Sequence, residues 1–194
     1  MMKRNKIFHM GKKTLYGLLI TSSMLFSATY EINKDNSKVG FDIDHFGVSN
    51  VHGDFEKFDA QIQYDEISNR LTFFESSVSV DSVNTKNKER DDYIKQTDYF
   101  DVENHPNMKF EFVRIDSNKD IMFAYLTIKD TRKLISFDYK LNDSIDTNLL
   151  EFDLTTTIKR SDFNIGKSSF FSLGNMVLSD DVNINVQLQA KRSN

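Results

Sequence analysis

The side chains best suited to catalysis gather in one run, KERDDYIKQTDYFDVENHP, from Lys88 to Pro106. Asp91, Asp92, Asp98, Asp101 and Glu103 supply carboxylates, Arg90 a guanidinium and His105 an imidazole. Paired carboxylates can serve as acid and base in a hydrolysis, and Arg90, Asp98, Asp101 and His105 are the set a lipid-modifying enzyme would use. The competing reading is structural. Arg90 binds one or two neighbouring carboxylates and pins the segment to the rest of the domain, and we adopt that reading. Other chemistries lack their residues. There is no cysteine, which removes disulfides, thiolate metal sites and a thiol nucleophile together. His45, His52 and His105 fit neither HxH nor HExxH spacing, so no metal ligand set is assigned. No GxSxG elbow is present, and the seven glycines form no phosphate-cradling loop. No catalytic residue and no cofactor are assigned.

A β-rich chain must position that run. Val39, Phe41 and Ile43 alternate with Gly40, Asp42 and Asp44, the period of a half-buried strand. Val51, Gly53 and Phe55 alternate, and Phe58, Ala60, Ile62 and Tyr64 resume one register off, as a bulge near Glu56 would produce. Further strands are expected at Tyr30–Ile32, Leu71–Val80, Met108–Ile115, Ile121–Ile128, Leu134–Leu141, Leu149–Ile158 and Val182–Ala190, with the Val39 strand running to Phe46. Short strands so spaced suggest a sandwich or an up-and-down barrel. One helix is expected, over about residues 88–97. Asn87 is its N-cap, Glu89, Asp91 and Asp92 lie in its first turn, and Asp91 and Lys95 form an i,i+4 pair. Pro106, the only proline, closes the excursion.

The aromatic residues carry a second signal. Fifteen of the 17 phenylalanines follow residue 28, many on strands. Val39, Phe41 and Ile43 share one strand face, Met122, Ala124, Leu126 and Ile128 a second, and Ile135, Phe137 and Tyr139 a third. We assign these faces inward, because the opposite ones carry Asp42, Asp44, Ser136 and Asp138. Phe110, Phe112, Phe152 and Ile184 join them as interior positions. Ala124 is the smallest of the set. A small residue between large ones is what a partly open lumen would keep clear, and eight strands is about the size that holds one small ligand. Periodicity does not choose between this and an ordinary filled core.

The first 28 residues read as an export signal. Lys3, Arg4, Lys6, Lys12 and Lys13 precede the mostly apolar Leu15–Phe26, and Ser27–Thr29 offers small residues for cleavage, most simply after Ala28. Translation starts at Met1 or at Met10. The apolar run is too short for an ordinary membrane span. Residues 29–194 then form one domain. Five of the 25 basic residues precede residue 29 and none of the 29 acidic ones does, so the domain carries a formal charge of −9 (20 − 29). Such a charge argues against nucleic acid and against anionic lipid headgroups as electrostatic partners.

Five ordered motifs resemble one family. VGFDIDHFG and VHGDF follow its Val-x-Phe-x-Ile-x-His-x-Gly and Val-x-Gly-x-Phe patterns, and RDDYIKQTDYFDVENHP follows its RDxHL…FFD…P signature. LTI at Leu126–Ile128, RSDFN at Arg160–Asn164 and the closing alternation Val182–Ala190 complete the series. Across nearly all of residues 29–194 the chain resembles the YceI-like lipid- and polyisoprenoid-binding family. It departs at Asn36 and Tyr93, where the family usually has His, and at Asp130 and Asn164, where it has Gly. The resemblance implies an all-β, eight-stranded, lipocalin-like antiparallel barrel, exported to the periplasm, with no stable membrane insertion once the signal is cut. It implies a polyisoprenoid, quinone-like or fatty-acyl ligand in the lumen, no catalysis, and, carried over from family members, a homodimer. It also gives the insert a role: Arg90, Tyr93, Ile94, Tyr99 and Phe100 gate or seal one end. The rivals are a lipid-modifying enzyme on the same barrel and a structural or interaction protein whose barrel is filled.

Overall fold

Strand alternation, with a phase slip at Glu56 and Lys57, sets most of the architecture. In the computed structural model, which describes residues 27–45, 49–142, 148–166 and 178–193, eleven strand segments form one antiparallel sheet closed on itself. β1 (Ser27–Ile32) and β2 (Lys38–His45) are one bent strand, interrupted by a 3-10 turn at Lys34–Asn36. β3 (Ser49–Phe55) and β4 (Phe58–Asp65) are a second, and its break at Glu56 and Lys57 is the expected slip. Phe55 and Phe58 are both buried although three positions apart, so the break keeps both halves facing inward.

β5 (Arg70–Ser79), the two-residue β6 (Val83–Asn84), β7 (Asn107–Asp116), β8 (Ile121–Ile128), β9 (Thr131–Asn142), β10 (Leu149–Lys159) and β11 (Leu178–Arg192) follow. The order β1-β4-β5-β7-β8-β9-β10-β11-β2-β3-β6 closes through β1 on β11. Because β1/β2 and β3/β4 each count once, this is an eight-stranded antiparallel barrel, with β6 a rim segment on β3. The expected Ile121–Ile128 strand matches β8 at both ends. The expected Leu71–Val80 strand lies one residue earlier, as β5, and β2 begins one residue before Val39, while its expected end at Phe46 lies outside the described residues; the others extend by one to four residues at one or both ends. The segment expected to be an export signal lies outside the described residues apart from its last two. Ser27 and Ala28 pair with Asp65 and Tyr64, so cleavage after Ala28 would trim the first two residues of β1.

The inward faces are those the alternation assigned. Met122, Ala124, Leu126 and Ile128 are buried on β8, Phe137 on β9, and Phe152, Leu154 and Ile158 on β10. β9 shows the contrast plainly: Phe137 is 2 % exposed, while outward Leu134 is 51 % exposed.

The helix α1 spans Lys88–Ile94, shorter than the expected 88–97. Asn87 caps it as expected, its side chain accepting from the Arg90 N–H. The end is set by local turns. Gln96 N–H donates to the Tyr93 carbonyl and Phe100 N–H to that of Ile94, folding the chain back one turn early. Asp91 does not pair with Lys95. Lys95 meets Asp81 at 3.0 Å, and the i,i+4 pair of this helix is Lys88–Asp92.

Candidate functional site

The crossover from Thr85 to Pro106 lies over one end of the barrel and is tied down mainly through backbone groups. Asp98 accepts from Gly166 N–H at 2.8 Å, Pro106 accepts from Val80 N–H at 2.9 Å, and Lys129 Nζ donates to the carbonyls of Thr97 and Asn164. Asn164 takes the left-handed conformation (φ 57°) that closes the Arg160–Phe163 turn, which asparagine tolerates better than most residues. Beneath the crossover, Tyr99 is 6 % exposed, and Phe100 packs edge-on against Phe55 with ring centroids 6.1 Å apart. Phe55 in turn meets Phe41 at 5.6 Å.

Arg90 does not clamp a carboxylate. Its Nε donates to Thr85 Oγ1 and its Nη2 to the Thr85 carbonyl, both at 2.8 Å. Asp91, next in the helix, accepts from the N–H and hydroxyl of the same threonine. Thr85 is 4 % exposed, and this arrangement satisfies its buried polar groups with side chains from the first turn of α1. The pinning role expected of Arg90 therefore runs through a backbone carbonyl. Arg90→Ala strips that carbonyl of its donor and is expected to cost about 1–3 kcal/mol. Amide exchange should quicken across residues 85–104 more than in the strands. Unchanged exchange there would make Arg90 a solvated surface residue.

The supposed catalytic set does not converge. Asp98 is exposed. His105 Nε2 lies 3.8 Å from Asp101 and 3.6 Å from the exposed Asp130, and of the four residues only Arg90 borders the interior space. Among the described residues no cluster of three or more His, Cys, Asp or Glu is arranged to hold a metal.

Under the crossover is a cavity of about 170 Å³ with an almost wholly carbon wall. Of the expected interior residues, Val39, Phe41, Ile43, Phe110, Leu126, Phe137 and Ile184 line it. Phe112, Met122, Ala124, Ile135, Tyr139 and Phe152 do not. They face inward but pack deeper, where the barrel is filled. Met122 and Ala124 are 0 % exposed, and Ala124 is paired in register between Phe112 and Ile135. Of the expected gate, Arg90, Ile94, Tyr99 and Phe100 border the cavity. Tyr93 does not, and packs its ring against Tyr99 with centroids 5.2 Å apart. Burial pushes the phenols of Tyr99 and Tyr139 well above the usual tyrosine range, so both stay neutral at physiological pH.

Several residues of the site had not been singled out. Phe74, Ser76 and Val78 line the cavity from β5, and Leu154 and Ile158 from β10. The same alternation marks both strands, so their inward faces were there to be read. Arg160 was noted only as part of a motif. Its Nη1 donates to the carbonyls of Ile165 and Gly166 and its Nε to that of Ser179, and like Arg90 it borders the cavity. Gly53 belongs to the Val51–Phe55 alternation and to a motif, and neither pattern assigns it to the cavity wall. It lies directly across from Phe41, and a Cβ there would sit 2.4 Å from the Phe41 ring. The missing side chain is what lets that ring lie against β3 at the cavity wall.

Among the described residues no helix is long and apolar enough to cross a membrane. A protein of Photorhabdus laumondii, UPF0312 protein plu2095, is 29% identical over 80% of this chain and 88% of its own length. Two solved structures share the barrel. BcnA of Burkholderia cenocepacia superimposes with a TM-score of 0.72 at 23% identity, over 82% of this chain and 99% of BcnA. A polyisoprenoid binding domain from Saccharophagus degradans, implicated in plant cell wall breakdown, gives 0.70 at 12% identity, over 86% of this chain and 99% of that domain. The YceI-like domain itself matches residues 30–190, from Tyr30 in β1 to Ala190 in β11, and this chain belongs to that family.

Proposed function

We propose that the protein is an exported lipid carrier that holds the apolar part of a polyisoprenoid, quinone-like or fatty-acyl ligand in the barrel and performs no chemistry on it. One observation carries the reading: a carbon-walled cavity inside a closed barrel, covered by a crossover that is fixed mainly through backbone groups. Such a wall offers an occupant hydrophobic transfer and nothing to polarise a bond. Each buried methylene contributes about 0.8 kcal/mol, so six to ten carbons would supply roughly 5–8 kcal/mol before the losses of ligand and chain freedom. The Saccharophagus degradans domain supports the ligand class. The basic, then apolar, leader supports export to the periplasm.

The test is organic extraction and mass spectrometry of protein purified from the periplasmic fraction. The carrier reading expects a co-purified isoprenoid or acyl compound, released unchanged, and an intact mass that starts near Thr29. No extractable lipid, together with no saturable uptake of dansyl-undecanoic acid, would favour a filled barrel. Conversion of the bound lipid on incubation would make the protein an enzyme.

A further inference from the structure

One wall of the cavity is a set of interlocking rings. Phe74 and Phe110 are tilted 44° to each other with centroids 4.7 Å apart, and Phe110 meets Phe137 edge-on at 5.5 Å. All three line the cavity. Behind them Phe152, which does not line it, packs edge-on against Phe74 at 5.5 Å and leans on Tyr139 at 6.2 Å. The rings come from β5, β7, β9 and β10, so they cross the barrel rather than coat one side of it. Phe74, Phe137 and Phe152 are each 2 % exposed, and Met122 and Ala124 beyond them are 0 % exposed. An apolar chain entering beneath the crossover therefore meets a packed aromatic layer partway down the barrel.

The space above that layer is small. A cavity of about 150 Å³ lined by aliphatic and aromatic side chains holds one benzene. At about 170 Å³ this one matches an apolar group of roughly six to eight carbons. We propose that Phe74, Phe110 and Phe137, backed by Phe152, are specificity-determining residues that form a chain-length stop. They limit the buried part of the ligand to about one or two isoprene units, and the rest of a longer chain lies outside the enclosed space. The proposal rests on the carrier reading and adds the size of ligand this barrel accepts.

Ser76 makes the stop testable in both directions. It lines the cavity on β5, one inward position from Phe74, and is paired in register between Ala60 and Phe110. Ser76→Phe raises the floor, and Phe110→Leu lowers it while keeping the position apolar. Dissociation constants are measured by displacement of dansyl-undecanoic acid for prenyl alcohols of five, ten, fifteen and twenty carbons, each below its solubility limit. Wild-type affinity is expected to climb at least tenfold from five carbons to ten and then to flatten, with less than threefold gained per further unit. Phe110→Leu, with a wild-type circular dichroism spectrum, should move the break one unit longer, and Ser76→Phe one unit shorter. A steady gain of tenfold or more per unit up to twenty carbons in the wild-type protein would overturn the stop and leave the carrier reading intact. So would a break at the same length in both variants. Absence of saturable binding for the probe and for every alcohol would overturn both.

Discussion

Ala124→Trp is expected to lower the unfolding free energy by about 1–3 kcal/mol or more, read as a fall in denaturant midpoint, because the new ring has no space to enter. Ala124 is 0 % exposed on β8, paired with Phe112 on one side and Ile135 on the other, and it does not border the cavity. Its inward neighbours along β8 are Met122, also 0 % exposed, and Leu126. Interiors are packed at crystal-like density, so the indole displaces side chains or backbone. The sequence alone suggested the opposite outcome, an alanine holding a lumen open, whose replacement would spare the fold and block the ligand. A midpoint close to wild type with binding abolished would restore that view and contradict the packing around Ala124.

Gly53→Ala is expected to act on the ligand more than on the fold. An added methyl would lie 2.4 Å from Phe41 Cζ and 2.9 Å from Thr85 Cγ2, closer than any real contact. Gly53 is an ordinary extended position, so the conflict is one of space. The Phe41 ring can relieve it only by turning off β3, and the open side is the cavity it already lines. Turning also disturbs Phe55, and through Phe55 the edge contact with Phe100 on the crossover. We expect a loss of at least tenfold in affinity for dansyl-undecanoic acid, with a stability cost of about 1–3 kcal/mol. Wild-type affinity in the folded variant would show that Phe41 turns elsewhere and that its ring does not shape the pocket.

Faces were legible in the sequence and heights were not. Alternation with a period of two states which side of a strand a residue occupies, and it did so for Val39, Phe41 and Ile43, for Met122 to Ile128, and for Ile135 to Tyr139. The slip near Glu56 was legible for the same reason, since Phe55 and Phe58 cannot share a face in an unbroken strand. How far along the barrel axis each inward residue sits depends on register. Register here is shifted by irregularities at Gln63/Tyr64, at Phe112/Arg114 and between Leu178 and Val182. No local pattern specifies these, so Leu126 and Ala124, two residues apart on one face, could not be sorted into cavity wall and filled interior. Arg90 shows a different limit. Its acidic surroundings invited an ion pair, while its actual acceptors are the hydroxyl and backbone carbonyl of Thr85, and a carbonyl is a group every residue carries and composition therefore cannot flag. The helix ran short of its expected end at residue 97 for a related reason, since carbonyl-directed turns at Gln96 and Phe100 stop it at Ile94.

The position of β11 governs how the chain reaches this fold. At 15 residues it is the longest strand, it pairs with β10, β2 and β1, and it comes last in the sequence. Asn33 and Gln189, joined by both backbone and side-chain hydrogen bonds, are 156 positions apart. Closing a loop of that length is entropically costly, and contacts of such separation slow folding. Until β11 joins them, β2 and β10 each present an unpaired edge, the kind of surface on which chains aggregate. Circularisation therefore waits on this one strand, and without it the rest of the sheet is an open, adhesive ribbon.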